Sequence, residues 1–193
     1  SSNSGSFGGG LINIDKVEDV IGLDGVAAAF PTAGAPAKGE GDGFNFGPPA
    51  QIVSMEPGSE RYSSFEVTAK SGRAGDLREG EVILGSDLAT ELNKSVGDTV
   101  DLPTPPSIER PDFVNHTFTV VGVLNRTLTA PDNFAFVSLK DAQRALGNAL
   151  PPAIRNQIDS TNLVSGINVY GKSGVDLDEL AETLKGFSYR VLK

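Results

Sequence analysis

The chain has 193 residues at 38% hydrophobic content, enough to bury a core in one domain, or in two small ones, without metal or disulfide support. With 25 acidic against 16 basic residues its net charge is -9, which opposes nucleic acid and anionic lipid headgroups as partners. There is no cysteine and a single histidine, His116, which excludes disulfide frameworks, thiolate zinc sites and multi-histidine metal centres and leaves a serine triad one potential base.

Residues 1–10, SSNSGSFGGG, have the composition of a flexible linker. The chain opens without a methionine or a signal-peptide stretch, and no run of about 18 apolar residues occurs, so it reads as a piece of a longer protein. Ile14, Val17 and Ile21, spaced i, i+3, i+7 among charged residues, predict a short amphipathic helix ended by Gly22 and Gly25. GVAAAFP follows as a strand closed by Pro31, and residues 32–49, rich in glycine and proline, read as a loop. Its Gly39, Glu40, Gly41, Asp42, Gly43 run lacks the repeated or twelve-residue ligand set of a calcium site. AQIVSMEP, from Ala50 to Pro57, is a second strand.

The middle of the chain alternates short strands and brief helices. EVILG ends at Gly85, and SDLATELNKS places Leu84, Leu88 and Leu92 four apart with Ser86 available as a cap. VGDTVDLP turns into a strand with Val100 and Leu102 on one face, and HTFTVVGVL is the strongest strand signal, with His116 expected exposed at its polar entrance. FAFVSLKDAQRALG predicts a strand, a Ser138 cap, a helix face of Leu139, Ala142 and Leu146, and a stop at Gly147. NLVSGINVY is a strand, DLDELAETLKG a helix capped through Asp176 and Glu179 with Gly186 past its end, and FSYRVLK a last strand, so residues 163–192 form a strand-helix-strand unit.

Gly166 to Ser173 reads GINVYGKS and fits the phosphate-loop pattern G-x-x-x-x-G-K-[ST]. A phosphate loop needs its strand before the first glycine and its helix at the Lys-Ser end. Here Ile167, Asn168, Val169 and Tyr170 alternate as a strand, the helix starts only near Asp176, and that carboxylate would repel a phosphate. The segment therefore reads as a strand and its exit turn. The sequons at Asn93, Asn115 and Asn125 are compatible with an extracytoplasmic surface. The carboxylate pairs Asp176/Asp178 and Glu179/Glu182 belong to the solvated face of a helix, with nothing to suggest a pocket that would shift their pKa values. No residue is assigned as catalytic, cofactor-binding or metal-ligating, no cofactor is expected, and the chain is not read as an enzyme.

From Lys70 to Leu146 the order of Gly72-Arg73, EGEVILGSDLATELNKSVGDTVDL, FTVVGVL and DNFAFVSLKDAQRALG resembles the extracytoplasmic, periplasmic core domain of MacB/FtsX-like ABC transporter permeases. Ser138 departs from the proline usual in the "VFVPL" element, and the loop from Thr32 to Pro49 is longer than the family pattern. The resemblance implies an α/β (α+β) fold of two subdomains. A discontinuous porter-like strand-helix-strand subdomain would cover residues 15–62 and 160–193, with an inserted Sabre-like mixed α/β subdomain at 63–159. Residues 1–14 would be the linker after a transmembrane helix, with a second membrane helix following Lys193.

The implied function is mechanical: coupling ATP hydrolysis, performed by a cytoplasmic ABC ATPase subunit or domain, to export, release or signalling at the outer face of the cell membrane. Implied partners are that ATPase, a second permease copy forming a dimer, and an extracytoplasmic adaptor or lipoprotein; nucleic acid is not among them. Two subdomains joined at two crossings suit rigid-body motion about a hinge. The alternatives are a free-standing extracytoplasmic ligand- or protein-binding module and a small double-psi-like β-barrel suggested by LATELNKSVGDTVDL; FTVVGVL and FAFVSLKDAQ favour the permease resemblance over the barrel.

Overall fold

A computed structural model describes residues 4–7, 10–39, 49–62, 67–108 and 110–188. It is a mixed α/β fold, as the family resemblance implies, with two principal sheets. Chain order is β1 (Ser4–Phe7), β2 (Ile12–Asn13), α1 (Lys16–Ile21), β3 (Val26–Thr32), β4 (Gly34–Pro36), β5 (Gln51–Ser54), β6 (Ala69–Gly72) and β7 (Glu81–Leu84). There follow α2 (Ser86–Glu91), β8 (Thr99–Leu102), β9 (His116–Leu124), β10 (Phe134–Val137), α3 (Leu139–Ala149), α4 (Pro152–Arg155), β11 (Leu163–Val164), β12 (Gly166–Gly171) and α5 (Leu177–Ser188).

The small sheet is antiparallel in the order β1-β12-β3, and β11 pairs with β2 in a short separate ladder. Its core side carries Val26, Ala29, Ile167 and Val169, covered by Val20 of α1 and by Leu180 and Leu184 of α5. The linker-like start thus contributes an edge strand, Ser4–Phe7, against β12. Pro31 does not close β3, because β3 is the other edge and its missing N–H faces away from the ladder.

The large sheet runs β4-β5-β10-β7-β9-β6, with β8 beside β6 on the same side of β9. The pairs β5/β10 and β7/β9 are parallel and the rest antiparallel. The sheet curls until the segment past β4 meets the segment past β8: the Gly39 N–H donates to the Thr104 carbonyl, and the Thr104 N–H to Ala37, both at 2.9 Å. Curling covers those edges, which would otherwise offer unpaired backbone. One face holds Ile52, Val82, Leu84, Val100, Leu102, Phe118 and Val120 against Leu88 and Ala89 of α2 and Ala142 and Ala145 of α3. The other face holds Ile83, Leu124 and Phe136 under the chain around Val67, Ala74 and Leu77. β7, flanked on both sides, is apolar at Val82, Ile83 and Leu84 alike, as a doubly covered strand must be.

Several local expectations shift. In α1 the buried residue is Val20, with Ile14 and Val17 packed beside it, while Ile21 is half exposed because the helix turns away after six residues. The N-cap of α2 is Gly85, and Ser86 makes no capping bond. Ser138 does cap α3, accepting the Asp141 N–H at 3.2 Å. That helix runs two residues past Gly147, which lies directly against Ser160, and α5 runs past Gly186 to Ser188. Part of the glycine-rich loop is strand β4. Of FSYRVLK, where a last strand is expected, Phe187 and Ser188 instead end α5, and residues 189–193 lie outside the described residues, as do Glu40 and Asp42 of the imagined calcium turn.

Candidate functional site

GINVYGKS is built as strand and turn. Residues 166–171 pair with β3 on one side and, through residues 167–170, with β1 on the other. The chain then leaves through Lys172, whose N–H donates to Gly25 at 2.8 Å and whose Nζ lies 4.0 Å from the exposed Asp24 carboxylate. Helix α5 begins five residues later, with Asp176 accepting the N–H of Asp178 at 2.9 Å. The backbone donors that would cradle a phosphate belong to a sheet ladder, and the anion at the helix start is the protein's own.

His116 is half buried rather than exposed, with its Nε2 2.9 Å from the Asn148 side-chain nitrogen. Burial, with the Arg144 charge nearby, pushes its pKa down. The sequon residue Asn125 donates to the Thr68 hydroxyl at 2.9 Å, and Asn93 sits at positive φ in the exposed turn after α2. Glu182 pairs with Lys185 at 2.6 Å on the solvent side of α5. Among the described residues no group of three or more His, Asp or Glu side chains converges as for a metal, and no helix is long and apolar enough to cross a membrane.

The residues carrying the family pattern prove to be devices for close packing. Gly72 and Gly122 are register partners in the β6/β9 ladder, past its irregular step between Ala69 and Ser71. A Cβ on Gly122 would collide with the Arg73 carbonyl oxygen, and one on Gly72 with that of Val121. Arg73 pairs with Glu81, whose carboxylate also accepts the Arg78 N–H at 2.9 Å; these donors hold Glu81 below the usual carboxylate range. Gly85 lets the turn at residues 130–133 lie directly on the end of β7, where its N–H donates to Phe134 at 2.8 Å.

That turn is organised by a buried carboxylate. Asp132, 2% exposed, accepts the N–H of Thr127 at 2.8 Å, the N–H of Leu128 at 2.6 Å and the Thr127 hydroxyl at 3.0 Å. Burial opposes its ionisation, but these donors outweigh burial and hold the pKa below the ordinary value. A second buried carboxylate, Asp141, accepts from the Gly80 N–H at 2.9 Å and from the Ser138 hydroxyl at 2.8 Å, with Arg144 3.3 Å away. Sequence reasoning found neither role. The Asp132 turn had no periodic signal, and only the S-x-x-D spacing of residues 138–141 could have pointed to Asp141.

Two surface features remain. An open groove of ≈ 810 Å³ runs between α2 and β6, lined by Lys70, Ser71, Asp87, Thr90, Lys94 and Arg126 among others. Its charges are mixed, and Asp87 and Arg126 pair at 3.0 Å, so it concentrates no single charge and converges on no reactive group. Phe30, Tyr62 and Tyr170 cluster on the small sheet with ring centroids 5.0–6.0 Å apart.

Over residues 2–187 the sequence matches the family described as the MacB-like periplasmic core domain. The chain belongs to that family. The fold of this MacB-like core domain is similar to the extracellular domain of the noncanonic ABC-type transporter YknZ from Gram-positive bacteria, at TM-score 0.59 and 15% identity over 94% of this chain and 86% of that one. It is also similar to the periplasmic region of MacB from Actinobacillus actinomycetemcomitans, at TM-score 0.55 and 14% identity over 94% of this chain and 75% of that one. No protein of curated function matches the sequence.

Proposed function

We propose that this MacB-like core domain is the extracytoplasmic part of an ABC transporter permease. In this reading it couples ATP hydrolysis in a separate cytoplasmic ATPase to export, release or signalling at the outer face of the cell membrane. The observation that carries the proposal, beyond family membership, is where the chain enters and leaves. β1 and α5, the first and last described elements, both belong to the small-sheet part, and the large sheet is inserted between them. Such a layout suits a domain held at one end by two membrane connections, with its far end reaching partner or substrate. We take the small sheet with α1 and α5 as the porter-like part and the large sheet as the Sabre-like part. The expected porter-like bounds include residues 15–62; here residues 34–54 are counted instead with the Sabre-like part, because β5 pairs with β10.

A second copy of the permease and an extracytoplasmic adaptor or lipoprotein complete the proposed assembly. In this reading the catalytic work is done by the cytoplasmic ATPase. The test is the parent reading frame, followed by reconstitution with its ATPase. One transmembrane helix before this chain and further ones after it, with transport or release lost when the domain is deleted, is the expected result. A parent without flanking spans would sink the proposal.

A further inference from the structure

We infer that the two parts are locked together as one rigid body and that the domain, contrary to the hinge expected from its two crossings, has no internal hinge. The functional consequence, transmission of a displacement from one end to the other, rests on the permease reading; the rigidity does not.

A hinge needs a few residues whose φ and ψ are free to change. The chain passes between the sheets twice, and neither passage offers such residues. In the first, β3 ends at Thr32 and β4 starts at Gly34, so the link is Ala33 alone, 1% exposed. Its N–H donates to the Ser54 hydroxyl at 3.0 Å, and its carbonyl accepts the Ser54 N–H at 2.9 Å. A side chain on Gly34 would press on the Ile52 carbonyl at 2.9 Å, so the strand beyond is held close as well.

The second passage, residues 160–165, is gripped by α3. Gln143, 4% exposed, donates both protons of its amide across the joint, to the carbonyls of Thr161 at 2.8 Å and Leu163 at 3.0 Å. One turn on, a Cβ at Gly147 would lie 2.6 Å from Ser160, which places this segment directly against the helix. Ser165 then ties the second passage to the first, donating its N–H at 2.8 Å and its hydroxyl at 3.0 Å to the Thr32 carbonyl. Leu139 packs against the cores of both parts. Opening the joint would strip partners from several buried backbone groups and from one buried amide at once. Each would then carry an uncompensated desolvation penalty.

The absence of cysteine makes the test direct. Glu18→Cys on α1 and Thr99→Cys on β8, both exposed positions, place one spin label on each part. Pulsed electron resonance on the 193-residue chain should give a single narrow distance distribution, unchanged by adding the rest of the transporter and cycling its nucleotide state. Two populations, or a breadth roughly twice that of a label pair placed within the large sheet, as slow hinge motion trapped on freezing would give, overturn the inference. Gln143→Leu with Ser54→Ala should broaden the distribution; an unchanged width in a folded variant overturns the role of these residues. If that variant does not fold, the parent distribution alone decides. Because this is read on the chain itself, a hinged result sinks the rigidity and leaves the permease reading standing, whereas a parent without flanking spans does the reverse.

Discussion

Gly72 and Gly122 face each other across the β6/β9 ladder with no room for a methyl group on either, because each Cβ position falls on a carbonyl oxygen of the opposing strand. Gly122→Ala should therefore force the strands apart and destabilise the fold by about 1–3 kcal/mol, the range of core overpacking. Urea denaturation measures it. A loss below about 0.5 kcal/mol, the scatter of neutral surface changes, would show that the ladder yields without cost.

Asp132→Ala removes the acceptor for two backbone N–H groups and a hydroxyl and should cost about 2–4 kcal/mol, since hydrogen bonds to a buried charge exceed neutral ones. The pH dependence has a definite sign. The folded pKa lies below the ordinary value, so the stabilisation is complete above the unfolded pKa of about 3.9 and is lost as pH falls through the folded value. In urea titrations at decreasing pH, the curves of the parent and of Asp132→Asn should converge on the acid side. Parallel curves would mean that Asp132 is not the titrating group.

His116 behaves in the opposite sense to a histidine that gains an acidic partner. Its pKa is pushed down, chiefly by burial, so between the folded value and the unfolded value of about 6.5 the unfolded chain binds the extra proton. Stability should then decline as pH drops below about 6.5, with the decline ending at the folded pKa. His116→Gln should flatten that stretch of the profile. A histidine resonance titrating above about 6.5 by NMR would refute the assignment.

The Lys172 side chain points toward Asp24, and residues 166–171 belong to the β12 ladder. Calorimetry with ATP or GTP and magnesium should show no binding to the chain, and none to Lys172→Ala. Micromolar affinity that the substitution abolishes would restore the phosphate loop.

Much of the large sheet was legible because its strands are short and doubly covered. Val82 to Leu84 and the β-branched centre of HTFTVVGVL announce themselves as strands, and the Ser138 cap marks where α3 starts. Burial of Val100 and Leu102 follows directly from their alternation. What stayed hidden depends on partners distant in sequence. Gly147 spells a helix stop locally, but packing against Ser160 keeps the helix going past it. Gln143 carries no local sign that its amide will bridge two carbonyls about twenty residues away, and Ser4–Phe7 has linker composition until β12 gives it a ladder. His116 was expected at the surface because its flanks are polar; Asn148, on another element, half buries it.

The one-residue passage at Ala33 also limits how this domain can be recombined. Homologous parts are most easily exchanged where a linker has slack, and here the first boundary has none: adding or removing a residue would shift β4 by one step and turn Ala35 from the core toward water. A chimera that takes its large sheet from a relative should therefore carry Ala33, Ser54, Gln143 and the segment 160–165 with it as a set. Inherited piecemeal, the two halves would each fold around a seam that belongs to neither.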